Sequence, residues 1–203
     1  MGNVMDYLEW RGDLTFDQSP FNDVDNVILS QLAYVNFRDV IPSVQMNKGI
    51  TLKAAAQLFF DLHTEEELMQ DKSFIKDAPK LLKKAAQTNR FRDVILSDYV
   101  DMVDETLEKQ FGAFHIKLSP QCTYVAFRGT DDTLVGWKED FNMSFISPVP
   151  SQEDAVKYLD DTCSYIRGKL YVGGHSKGGN LAIYSAIHCS KRVRKKIQCV
   201  YNN

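Results

Sequence analysis

Cysteine is scarce and scattered in this chain: Cys122, Cys163, Cys189 and Cys199 form no C-x-x-C pair and no Cys/His grouping with zinc spacing. That pattern argues against a disulfide framework and a structural zinc site. Reduced thiols point to a cytoplasmic protein. No apolar run approaches the roughly 18–20 residues that a membrane helix needs, so no membrane span is expected. The opening MGNVMDYLEWRGDLTF is acidic and mixed, unlike the basic-then-apolar start of a secretory signal peptide. A net charge of −3 offers no basic footprint, and nucleic acid is not an expected partner. Repeats and low-complexity tracts are missing too. Two phosphate-binding patterns fail: G-x-G-x-x-G would need glycine where Ser176 stands, and a Walker A loop would need Lys-Ser/Thr after its glycine.

What is present reads as one α/β domain over residues 1–203, with a mainly helical region at 22–98 and a sheet core at 99–203. NDVDNVILSQLAYVNF begins with cap-type residues and places Val24, Ile28, Leu32 and Val35 near helical spacing. TLKAAAQLFFDLH has Thr51 as its expected N-cap, and DAPKLLKKAAQTNR carries Pro79 in a first turn, where proline is tolerated. The acidic run Glu65–Glu67 reads as a solvated helix face or a helix start. From about residue 99 the period changes. YVDMV, KQFGAFHIKL and TYVAFRG read as strands, with a hairpin turn at SPQ. A helix follows with Ser151 as cap and Gly168 at its end, and KLYVGG, KGGNLAIYSAIHCSKR and KIQCVY then read strand, helix, strand. That β-α-β-α-β order predicts a mostly parallel sheet with right-handed crossovers.

Gly174-His175-Ser176-Lys177-Gly178 fits G-x-S-x-G between a strand and a helix, the arrangement of a nucleophile elbow. A serine on such a turn presents its hydroxyl above the sheet edge, and its neighbours Gly174, Gly178 and Gly179 must lack bulk. The helix after it aims its N-terminus at the site, which favours developing negative charge, and the Lys177 amide is placed to donate to an oxyanion. A structural glycine turn and an anion-binding loop are the alternative readings. Upstream, VAFRGTDDTLVGWKEDF runs from a strand into a polar turn. There Gly129 permits close backbone approach, Thr130 supplies a second amide, and the Thr130 hydroxyl is expected to hold the loop. Arg128 and Asp140 are expected to form an ion pair pinning that loop.

AFRGT, GWKEDFNMSF and GGHSKGGNLA together resemble class 3 lipases. With DYLEWRGDLTF and DVDNVILSQLAYVNF, the chain is more similar over nearly its whole length to a bacterial Mbeg-like family of uncharacterised, lipase-like α/β-hydrolases. The resemblance implies an α/β-hydrolase fold, Ser176 as nucleophile, and Thr130 with Lys177 at the oxyanion hole. It implies a serine esterase or lipase-like hydrolase acting on a small-molecule or lipid acyl substrate, with no metal or organic cofactor. It supplies no substrate identity. A non-catalytic binding or scaffolding protein on the same fold is the second expectation, because fold alone does not separate the two.

The triad order is serine, then acid, then histidine, and only 27 residues follow Ser176. His188, twelve positions into the next helix, lies roughly 18 Å along its axis from the turn. His175 is expected to support packing, and His63 and His115 to be structural. The chain is therefore expected to be the N-terminal portion of a longer hydrolase, itself inactive, and to self-associate through an exposed sheet edge. Trp137 reads as part of a lid, a pocket wall or the core, and the basic run KRVRKK at 191–196 as solvated cations at a helix C-terminus.

Overall fold

The computed structural model describes residues 2–43, 48–64, 67–68 and 76–203. Glu65 and Glu66 of the acidic run lie outside them. Among the described residues the first half contributes the helices α1 (Val4–Arg11), α2 (Asp23–Leu32), α3 (Leu52–Leu62) and α4 (Ala78–Ala85). Their starts follow local chemistry. Asn3 and Asn22 accept hydrogen bonds from first-turn amides of α1 and α2, Thr51 accepts from the amide of Ala54 at 3.2 Å, and Pro79 occupies the first turn of α4.

Among the described residues six strands follow one another in space as in sequence: β1 (Ile50–Thr51), β2 (Ile95–Asp104), β3 (Lys109–Ser119), β4 (Cys122–Phe127), β5 (Lys169–Gly174) and β6 (Ile197–Asn202). The first three pairings are antiparallel and only β4–β5 and β5–β6 are parallel. The sheet is mixed, which corrects the expectation of a mostly parallel one. The crossover signal covers only the last three strands. The hairpin at Ser119–Cys122 and the short connection between β2 and β3 force antiparallel neighbours. The sheet also begins earlier than expected, since β1 and the start of β2 fall before residue 99.

The crossovers carry α5 (Leu134–Asn142), α6 (Pro150–Cys163), α7 (Lys177–His188) and the short α8 (Lys191–Arg194). Ser151 is not a cap. Pro150 is the first residue of α6, Val149 precedes it, and the Gln152 side chain accepts from the Val149 amide at 3.0 Å. α6 ends at Cys163, short of Gly168, whose φ of +100° turns the chain into β5.

Alternation along β4 shows how the layers form. Tyr124 and Ala126 face the N-terminal helices, in one apolar cluster with Ile28, Leu32 and Leu82. Val125 and Phe127 face the other side, with Leu159 of α6 and Leu181 of α7. A buried ion pair fastens the first layer: Arg90 donates to Asp25 at 2.6 Å, and its guanidinium also lies 4.3 Å over the Phe16 ring. Among the described residues no helix is long and apolar enough to cross a membrane.

Candidate active site

β5 delivers the chain to Gly174, and the backbone reverses into α7 within three residues. At the reversal Ser176 has φ +57° and ψ −127° and is exposed. A non-glycine residue in this region costs on the order of 1–3 kcal/mol, so the surrounding structure must hold it there. It does so from two sides. The Ser176 amide donates to the Asn203 carbonyl at 2.9 Å, and the Gly178 amide donates to the His175 carbonyl at 3.0 Å. Asn203 is itself held by Asn26 and Ser30 of α2, at 2.8 and 3.2 Å.

Bulk is excluded where α7 crosses the end of β4. A Cβ on Gly178 would overlap the Phe127 carbonyl and approach the Arg128 carbonyl carbon to 3.0 Å. Gly174 ends β5, and Gly179 lies in the first turn of α7 against the Asn202 side chain.

Lys177 opens α7, and its amide donates to no group among the described residues. Its side chain runs inward. The ammonium donates to the Gln110 carbonyl at 2.8 Å, to Gln110 Oε1 at 2.6 Å and to Glu139 Oε2 at 3.0 Å, and both charged side chains are fully buried. Burial pulls the Lys177 pKa down, while the Glu139 carboxylate opposes it. Glu139 also accepts from the Gln110 amide at 3.0 Å and the Ser151 amide at 2.9 Å. One carboxylate thus ties together β3, α5, α6 and the serine turn. Sequence reading missed it; the hint was a glutamate on the face of α5 opposite the apolar Leu134, Trp137 and Phe141.

The second motif lies beside the first. After β4 the chain passes through Arg128, Gly129 and Thr130. A Cβ on Gly129 would strike the Tyr34 hydroxyl and come within 2.5 Å of the His175 carbonyl. This contact brings the loop at Gly129 against the serine turn. The Thr130 hydroxyl, however, does not hold the loop. It is buried and has no hydrogen-bond partner. The expected Arg128–Asp140 pair is also corrected. Arg128 pairs with Asp101 of β2 and lies 3.8 Å from Asp131. Asp140 is half-buried and forms no ion pair with it. Register explains the choice: Asp101 lies opposite Gly112, which has no side chain and leaves room for the guanidinium to cross β3.

None of the four histidines hydrogen-bonds to Ser176. His175 is exposed, packs its ring edge-to-face against Tyr34 and places Nδ1 2.9 Å from the Tyr34 hydroxyl. Burial pushes the Tyr34 pKa up to about 12, so this hydroxyl stays neutral. His115 is buried in β3 between Asp98 at 3.3 Å and Thr162 at 3.0 Å. His63 and His188 stack on Phe59 and Tyr184 at helix ends. In the basic run, Lys196 donates to the carbonyls of Cys163, Ser164 and Ile166 and so closes the end of α6. Trp137 is 56 % exposed and so is not core. Among the described residues no cluster of three His, Cys, Asp or Glu could hold a metal ion. A cavity of about 550 Å³ opens beside His175 and Tyr34.

No curated protein and no solved structure matches the chain. A family model described as Mbeg1-like matches residues 85–203, more than half of the chain but short of the nearly whole-length resemblance expected from the sequence.

Proposed function

The chain belongs to the Mbeg1-like family, and we propose that it is a serine hydrolase of the α/β-hydrolase type, esterase- or lipase-like, acting on an ester or related acyl group. The observation that carries this reading is the backbone of Ser176, held at φ +57° and ψ −127° between β5 and α7. Such strain persists where a serine hydroxyl must stand clear of the sheet. The Ser176 hydroxyl oxygen attacks the acyl carbon, the alcohol leaves with a proton, and water releases the acid from the acyl-enzyme. The amides of Lys177 and Thr130 take the oxyanion, helped by the N-terminus of α7. Four free cysteines accord with a cytoplasmic setting.

A second reading, a binding or scaffolding protein on this fold, is favoured by one observation: no histidine is hydrogen-bonded to Ser176. Pre-steady-state hydrolysis of p-nitrophenyl butyrate separates the two. A burst of nitrophenol equal to the protein concentration, absent from Ser176→Ala, supports the hydrolase; no burst and no turnover supports the binding protein.

A further inference from the structure

The cavity beside the serine turn lies between the start of α1, the end of α2 and the start of α4. Its walls include Val4, Met5, Tyr34, Ala78, Leu81 and His175. At about 550 Å³ it falls within the roughly 300–1,000 Å³ typical of small-molecule sites. The charged groups on it are at the rim and already satisfied: Lys80 donates to Asp77 at 2.8 Å, and both side chains are exposed. Asn3 is occupied in capping α1. The rest of the lining is mainly apolar, with Gln31, Tyr34 and His175 as its other polar side chains.

Two contacts connect this cavity to the reacting centre. His175 precedes Ser176 and lines the mouth. Tyr34 lines it too, and its hydroxyl touches both His175 and the backbone at Gly129, the residue before Thr130. A carbonyl held between Ser176 and the amides of Lys177 and Thr130 is therefore one residue away from the mouth on either side. We infer that this cavity receives the fatty acyl chain of the substrate, which makes the preferred ester one of a medium-length acid rather than an acetate. The inference rests on the serine-hydrolase reading for its link to Ser176, but the binding of the chain does not. Counting roughly 30 Å³ per methylene, about the share of one water in the liquid, eight to twelve carbons fill roughly half to two-thirds of the space.

The test uses the Ser176→Ala protein and cis-parinaric acid, whose fluorescence reports entry into an apolar site. Decanoate should displace it at least tenfold more tightly than butyrate does. Leu81→Trp, which fills the cavity, should weaken decanoate at least tenfold, and Met5→Arg, at a half-buried position on α1, should do the same should Leu81→Trp fail to fold. On the parent protein, kcat/KM for p-nitrophenyl esters should rise two- to fourfold per methylene from butyrate to decanoate. Equal competition by butyrate and decanoate, or parent-like binding in the folded variants, overturns the inference. Chain binding lost in the variants with no ester turned over would remove the hydrolase reading and leave the pocket standing. Turnover indifferent to chain length and to both variants would do the reverse.

Discussion

Lys177 adjoins the exposed Ser176 in sequence, yet its ammonium is buried 3.0 Å from the Glu139 carboxylate. The residue that offers its amide to the site is thereby anchored through its side chain to α5. Removing one partner strands the other charge, which typically costs about 3–5 kcal/mol. Lys177→Met and Glu139→Gln should each lower the denaturation midpoint strongly. The double variant should lose clearly less than the sum, as a double-mutant cycle by urea unfolding will show.

Backbone strain at Ser176 gives a prediction of opposite sign. Ser176→Gly releases a conformation costing on the order of 1–3 kcal/mol, against about 0.5–1 kcal/mol of glycine entropy. Ser176→Ala keeps the strain. The glycine variant should melt a few degrees above the alanine variant by calorimetry, at roughly 2–4 °C per kcal/mol in a chain of this size.

Gly129→Ala places a methyl against the Tyr34 hydroxyl and the His175 carbonyl. The loop must retreat from the serine turn, taking the Thr130 amide with it. Loss of one oxyanion donor typically costs about 10²–10³ in kcat. That drop is expected with circular dichroism unchanged. Tyr34→Phe in the same protein should restore only part of it, since the His175 carbonyl remains.

The His115 site predicts a pH dependence. Burial works against its charge, but Cys163 and the Asp98 carboxylate outweigh it and push the pKa up to about 9. The Tyr158 hydroxyl fixes the Asp98 backbone, and Thr162 meets the far ring nitrogen. A pKa above the unfolded value of about 6.5 gives stability that is fully present below that pH and is lost as pH rises through 9. The loss, on the order of 3 kcal/mol, should appear in unfolding curves between about pH 6.5 and 9.5 and be absent from His115→Gln.

The serine turn, the caps at Asn22 and Thr51 and the last three strands were legible because each depends on residues a few positions apart. Long-range pairing was not. Asp101 reaches Arg128 only through the β2–β3–β4 register, and Glu139 reaches Lys177 across two helices and a strand. Tyr34, at the end of a helix that reads as plain core, touches both the serine turn and the loop at Gly129. No local pattern distinguishes it from Val35 beside it. The antiparallel half of the sheet was missed for a similar reason, since crossover helices signal parallel pairing only where they occur.

The most direct measurement is reaction of the protein with a fluorophosphonate probe, followed by mass-spectrometric identification of the modified residue. The account predicts one adduct, on Ser176, formed slowly because no histidine is hydrogen-bonded to the serine, and abolished in Ser176→Ala. No adduct, or one of equal yield in the alanine variant, would contradict it.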